Sequence, residues 1–357
     1  MLFDPFDNGR LRLQNRIVMA PMTRCRAVDA NTPNALMAEY YGQRASAGLL
    51  ITEGTSPSPD GLGYARIPGL FNAAQRDGWR LVTDAAHAGG AKIFIQFMHC
   101  GRVSATANLP AGARAVGPVA AVCPGEMYTD TAGMQPHALP HALAEAEIPA
   151  LVAEFVAAAR LAVEAGFDGI ELHAANGYLL EQFLNANVNT RTDAYGGSAA
   201  ARNRLVLEVA RACVDAIGAE RVGIRVSPYG VFNSTGAFEG VEEQYLALAR
   251  DLSDIGLVYL HLVDHSAMGA PEVPADFKAR LQAAFDGAFI ASGGLTVATA
   301  EAALTEGRGD LAAFGRPFIS NPDLVRRLQD GLPLTEPDAN TFYTPGAAGY
   351  TDYPLAS

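Results

Sequence analysis

Gly169-Ile170-Glu171-Leu172-His173 is a short run, mostly apolar, that follows an amphipathic stretch over 147–165 and precedes Ala174-Ala175-Asn176-Gly177-Tyr178. In the stretch before it, Ile148, Leu151, Val152, Phe155, Ala159, Ala162 and Val163 share one helical stripe, with Glu154, Arg160 and Glu164 off it. Gly166 stands where a helix end favours a residue free to turn left-handed. Helix, glycine, short buried strand and polar turn make one repeat of an alternating α/β chain. Seven more apolar runs extend the pattern: Ile17–Met22, Leu49–Glu53, Lys92–Met98, Val222–Ser227, Val258–Val263, Phe289–Ser292 and Leu311–Gly315. Each is nearly continuously apolar, as a parallel strand covered on both faces must be.

Helical patterns separate these runs at Leu36–Ala45, Arg76–His87, Arg202–Ile217, Glu242–Ile255, Asp276–Phe285, Val297–Glu306 and Leu324–Asp330. Thr296 is placed to cap one helix, and Asn321-Pro322 puts a capping residue before a proline at the start of another. Eight strand–helix alternations predict an α/β fold, a (β/α)8 TIM barrel. The alternative, a two-domain doubly wound enzyme, lacks a G-x-G-x-x-G after any strand. Two segments fall outside the repeat. Residues 3–16, with Asp7-Asn8-Gly9, predict an N-terminal hairpin plugging the barrel floor. Residues 100–144, rich in Pro, Gly, Ala and Thr, form an excursion after the third strand, too long for an ordinary connection. It is expected to act as a lid or substrate wall.

Composition narrows the function. The chain carries 26 Lys+Arg against 38 Asp+Glu, a net charge of −12 over 357 residues, which argues against nucleic acid or an anionic membrane as partner. No run is apolar for the ~18 residues of a membrane span, and no basic-then-apolar leader opens the chain. Cys25, Cys100, Cys123 and Cys213 form no C-x-x-C pair, which argues against a disulfide framework, a cysteine-rich zinc site or an iron–sulfur cluster. No metal site is expected, and a cytoplasmic location is the default.

In such a barrel the chemistry gathers at the C-terminal strand ends. Ser292-Gly293-Gly294 and Gly315-Arg316 end the last two strands, where phosphate commonly binds. The plainer alternative is a tight turn and a surface ion pair. His173 and Asn176, three apart, are able to hold an oxygen and stabilise negative charge on it, and Tyr178 is a possible proton donor. The alternative is a buried, satisfied histidine and a wall tyrosine. Arg225 lies in an otherwise apolar strand, so it must either pair with a carboxylate such as Glu171 or serve an electron-rich ligand. Gln96, inside Phe94-Ile95-Gln96-Phe97, poses the same choice.

Taken together these segments resemble the Old Yellow Enzyme family of FMN-dependent ene-reductases, in the branch of N-ethylmaleimide and xenobiotic reductases. The resemblance covers essentially the whole chain. It runs from Asn15-Arg16-Ile17-Val18-Met19-Ala20-Pro21-Met22-Thr23-Arg24, through Ala38-Glu39-Tyr40-Tyr41, Gln43-Arg44-Ala45, residues 173–180 and Arg191-Thr192-Asp193-Ala194-Tyr195-Gly196-Gly197-Ser198, to Phe314-Gly315-Arg316-Pro317-Phe318 and Gly349-Tyr350-Thr351-Asp352-Tyr353-Pro354.

The resemblance implies one FMN-binding barrel domain over residues 1–357, with 100–144 capping it, and NAD(P)H as reductant. Thr23 would donate to the flavin, with Pro21 and Gly54 lining its ring. Gln96 and Arg225 would face the pyrimidine edge, and Gly294, Gly315 and Arg316 would hold the phosphate. His173 and Asn176 would bind the oxygen of an activated alkene, a carbonyl, imide or nitro compound, while hydride from flavin N5 and a proton from Tyr178 reduce its C=C bond. Tyr343 and Tyr64 would line the substrate cavity.

Met98 replaces the tryptophan usual in relatives, which predicts a reshaped cavity. Thr23 stands where a second branch has cysteine. The same site suits nitrate esters or nitroaromatics, which is the alternative substrate class. A flavin-free sugar-phosphate lyase or isomerase would need a Schiff-base lysine or a carboxylate base, and the only lysines, Lys92 and Lys278, are not at a strand's C-terminal end. A monomer or homodimer is expected.

Overall fold

Eight parallel strands close into a barrel in the structure, a computed structural model that describes residues 1–356. They are β1 (Ile17–Met19), β2 (Leu49–Ile51), β3 (Lys92–Phe97), β4 (Gly169–Ala174), β5 (Val222–Val226), β6 (Tyr259–Val263), β7 (Ala288–Ser292) and β8 (Leu311–Phe314), and β8 pairs with β1 to complete the ring. All eight predicted runs are strands. β1 stops short of its predicted end because Pro21 has no N–H to continue a ladder.

The helices are α1 (Ala35–Gln43), α2 (Ala73–Ala88), α3 (Ile148–Glu164), α4 (Leu179–Leu184), α5 (Ala199–Ile217), α6 (Val241–Ile255), α7 (Ala275–Ala283), α8 (Val297–Thr305), α9 (Arg316–Ser320) and α10 (Leu324–Asp330). α3 buries Ile148, Leu151, Phe155, Ala159 and Ala162 as its stripe predicts. It also buries Ala158, whereas Val163 is 38% exposed, so the stripe is narrower on one side than predicted. Gly166 has a φ of +94°, and Thr296 caps α8 by accepting from the Thr299 N–H at 3.2 Å.

The Asn321 cap is not formed. Asn321 ends α9, and its amide donates to the Pro317 carbonyl at 2.8 Å and accepts from Thr335 N–H at 2.8 Å. Proline sits in the first turn one helix earlier, as Pro317 of α9. The two short helices, α4 and α9, were not predicted, since six and five residues are too few to show a helical period.

The N-terminal hairpin pairs Phe6–Asp7 with Arg12–Leu13, and Phe6, Leu11 and Leu13 pack against Val18, Leu49, Phe94, Tyr259 and Leu311 inside the barrel bottom. The floor is therefore apolar and closed. One layer above it the interior turns polar, with Gln96, Glu171, Arg225 and His261 on four adjacent strands. The 100–144 excursion folds into a hairpin, Glu126–Thr129 with Gly133–Pro136, and a parallel pair, Val116–Gly117 with His141–Ala142. Its Cys100, Val103, Cys123 and Met127 pack with Leu62, Met98 and Tyr178. Among the described residues, no helix is long and apolar enough to cross a membrane.

Because the hairpin is the floor, Leu13→Ala is expected to lower the unfolding free energy by about 2–5 kcal/mol in a urea titration. A change below the scatter of that titration would show that the hairpin rests on the barrel without plugging it.

Candidate active site

A cavity of about 620 Å³ opens at the C-terminal ends of the strands. Its richest contribution comes from the turn after β4. Asn176 and Gly177 both have positive φ, +59° and +77°. A Cβ at Gly177 would lie 2.6 Å from both Asn233 Cβ and the Phe232 carbonyl oxygen, so only glycine fits that approach. The Asn176 N–H donates to Ser227 Oγ at 2.9 Å, and Asn233 Nδ2 donates to the Asn176 carbonyl at 2.7 Å. The Gly177 N–H donates to buried Glu181 at 2.6 Å. Burial pushes the Glu181 carboxyl up to about 8, and Ser227 Oγ also donates to it. This turn reverses the chain so sharply that His173, Asn176 and Tyr178 all face the cavity.

The two titratable side chains among them each have a definite protonation state. Burial, reinforced by the Arg225 guanidinium, holds the His173 imidazole well below its ordinary pKa, so the ring is neutral; its Nδ1 is buried with no partner. Burial, reinforced by Tyr64, drives the Tyr178 phenol well above its ordinary value, so it keeps its proton. Tyr178 Oη lies 3.0 Å from Tyr64 Oη, and the His173 and Tyr178 rings meet edge-on at 4.9 Å. Tyr64 is thus a direct neighbour of the Tyr178 hydroxyl and lines the cavity beside it.

Arg225 resolves the choice left open by its strand. No ion pair joins it to Glu171 among the described residues. That carboxylate is taken by Gln96 Nε2 at 2.7 Å and His261 Nδ1 at 2.9 Å. Arg225 Nε is buried with no partner at all. Burial lowers its pKa, yet a guanidinium stays charged in a protein, so a bare positive charge faces the cavity.

The loops after β7 and β8 form the far end. Gly293 and Gly294 have φ of +134° and +61°. A Cβ on Gly315 would meet nothing nearer than Met22 Sδ at 3.7 Å, so its backbone is bare on that side. Arg316 is exposed and makes no hydrogen bond or ion pair among the described residues. Pro21, Thr23, Gln96 and Met98 line the walls, and Tyr343, 59% exposed, lies at the rim. Arg66 and Arg26 hold that rim by donating to the Tyr343 and Phe342 carbonyls at 2.8 and 2.7 Å.

Two expected parts of the site are not among the residues that line this cavity. Gly54 does not line the cavity; the Met98 side chain lies against the place its Cβ would take and covers it. No residue of 100–144 lines it either, because Tyr64, Met98 and Tyr178 stand between the excursion and the cavity. Conversely, Phe232, Asn233, Asp264 and His265 line it without having been singled out. Asp264-His265 directly follows β6, so the rule that functional groups gather at strand ends would have found them.

Comparison with known proteins agrees with this geometry. The family model described as NADH:flavin oxidoreductase / NADH oxidase matches residues 1–335. A chanoclavine-I aldehyde reductase of Penicillium roqueforti is 43% identical over 368 residues, covering 100% of this chain and 96% of the relative. A probable flavin mononucleotide-dependent alkene reductase of Leishmania infantum is 40% identical over 362 residues, covering 99% and 97%. The solved structure of an old yellow enzyme homologue from Zymomonas mobilis superposes with a TM-score of 0.95 at 39% identity, covering 99% of both chains.

An unpaired buried charge is costly until a ligand meets it. Arg225→Met is therefore expected to raise the stability of the ligand-free protein, by about 1–4 kcal/mol in chemical unfolding. Lower stability in the variant would mean that the guanidinium is already satisfied within the protein.

Proposed function

We propose, for a chain that belongs to the NADH:flavin oxidoreductase / NADH oxidase family, that it reduces the C=C bond of small molecules activated by a carbonyl, imide or nitro group. The coarser chemistry follows from membership: the protein is an NAD(P)H-dependent flavin oxidoreductase with FMN as cofactor. The observation that carries the finer reading is the single turn after β4, which aims a neutral imidazole, an amide and a protonated phenol into the cavity that an unpaired guanidinium on the neighbouring strand also lines.

The residues fit FMN. Arg225 and Gln96 would hold its electron-rich pyrimidine edge, which is what a buried unpaired guanidinium requires. Pro21 and Thr23 would border the ring. Arg316, with the bare backbone at Gly315 and the left-handed Gly294, would hold the phosphate. The chemistry FMN supplies when bound is two-electron transfer from NAD(P)H to the alkene.

The chain's own part is to bind the activating oxygen and deliver a proton. His173 and Asn176 each offer an N–H to that oxygen and stabilise the negative charge that grows on it as the double bond is reduced. Each such donor is worth about 2.7–4 kcal/mol of transition-state stabilisation. Tyr178 holds a proton at Oη for the adjacent carbon. Because both ring and phenol are uncharged at rest, neither competes with Arg225 for negative charge. An alkene without an activating oxygen leaves the two N–H donors unpaired. Met98, folded against Gly54, lines the cavity wall.

Tyr178→Phe is expected to slow reoxidation by an enone by about 10²–10⁴ while leaving reduction by NAD(P)H unchanged. Equal losses in both half-reactions would overturn its role as proton donor. The pH dependence is a separate test. The His173 pKa is lowered and the Tyr178 pKa raised, so neither group changes charge from about pH 6 to about pH 7, and the enone half-reaction should be flat there, below the point at which Glu181, pushed up to about 8, titrates. A limb titrating near 6.5 would contradict a neutral His173.

A further inference from the structure

We infer that His265 sets the direction of the Asn176 amide, tying down its carbonyl end so that its NH₂ end faces the cavity and the site accepts ligands that present oxygen lone pairs. The inference rests on the proposed role of Asn176 and adds a positioning residue to it.

The two ends of a primary amide have nearly the same shape, so packing alone does not choose between them; hydrogen bonds do. Asn176 Oδ1 lies 2.8 Å from His265 Nε2. A carbonyl oxygen only accepts, so the ring nitrogen must carry the hydrogen. Asn176 Nδ2 makes no hydrogen bond among the described residues, although the side chain lines the cavity. One end of the amide is therefore spoken for, and the other is free for a ligand.

The remaining freedom of Asn176 is small. Its backbone is fixed on both sides, by Ser227 Oγ and by Asn233 Nδ2, in a left-handed conformation. Only the side-chain torsions are left, and His265 holds those. His265 is held in turn. Its ring packs edge-on against Phe232 at 4.7 Å, and the preceding Asp264 binds the Ser266 N–H at 2.9 Å and Lys278 Nζ at 2.6 Å. Burial, reinforced by Arg225, keeps the His265 pKa down at about 4, so near neutrality the ring has one N–H, committed to Asn176. Without that N–H the amide is free to rotate and offer its acceptor end, which repels a carbonyl, nitro or phenolate oxygen.

The test is a double-mutant cycle on the FMN-loaded, oxidised protein, titrated with 4-hydroxybenzaldehyde and followed by flavin absorbance. His265→Phe keeps a ring against Phe232 but loses the N–H, and should weaken phenol binding roughly tenfold. His265→Gln restores a donor and should recover most of the affinity. In the Asn176→Ala background, His265→Phe should cost nothing further. FMN content and melting temperature should match wild type in all variants. An additive loss in the double variant would show that His265 meets the ligand itself, and no loss in His265→Phe alone would also overturn the inference. An unchanged affinity in Asn176→Ala alone would remove the proposed role of Asn176 along with the inference, so the two failures are distinguishable.

Discussion

A positive charge without a partner inside the barrel governs the rest of the site. Glu171 is near enough to influence Arg225, yet its two oxygens are committed to Gln96 and His261. The guanidinium is left without a protein partner on its Nε, a situation that is costly unless something electron-rich meets it. The same charge acts on its neighbours. It adds to burial in keeping His173 and His265 uncharged, and uncharged imidazoles are N–H donors that do not themselves demand a counter-ion. The apolar floor made by Phe6, Leu11 and Leu13 keeps water from reaching this layer from below. Charge, neutral donors and an apolar floor are thus one arrangement.

The second element is a turn. Successive left-handed residues at 176 and 177 bend the chain back on itself as soon as β4 ends, and Tyr178 then occupies the N-terminal flank of α4. Asparagine tolerates this backbone better than most residues, and glycine is required beside it. The local strain is held by Ser227, Asn233 and the buried Glu181, none of which touches the cavity for its own sake except Asn233.

Much of this was legible in the residues. Parallel strands buried on both faces leave continuous apolar runs, and all eight showed. His173, Asn176, Tyr178, Arg225, Gln96 and Arg316 stood out because polar groups at strand ends of an apolar barrel are costly without a purpose, and the structure brings all six to one cavity. What stayed hidden depended on contacts distant in sequence. Asn321 carries the local signature of a helix cap but is captured by Thr335. Gly54, which the family resemblance places beside the ring, has the Met98 side chain, 44 residues away, lying against it. The 100–144 excursion is long enough to be a wall, yet Tyr64 and Tyr178 reach the cavity first. His265 has only its place just past the end of β6 to mark it; its meaning comes from an amide 89 residues earlier in the chain.

The central claim is that substrates are held by an oxygen clasped between His173 and Asn176. Anaerobic stopped-flow reoxidation of the NAD(P)H-reduced protein by 2-cyclohexenone and by cyclohexene tests it most directly, since the two molecules share a ring double bond and differ in the carbonyl. Fast recovery of the flavin absorbance with the enone and none with cyclohexene is the expected result. Comparable rates with both would mean that no oxygen is gripped, and that the turn after β4 serves some other end.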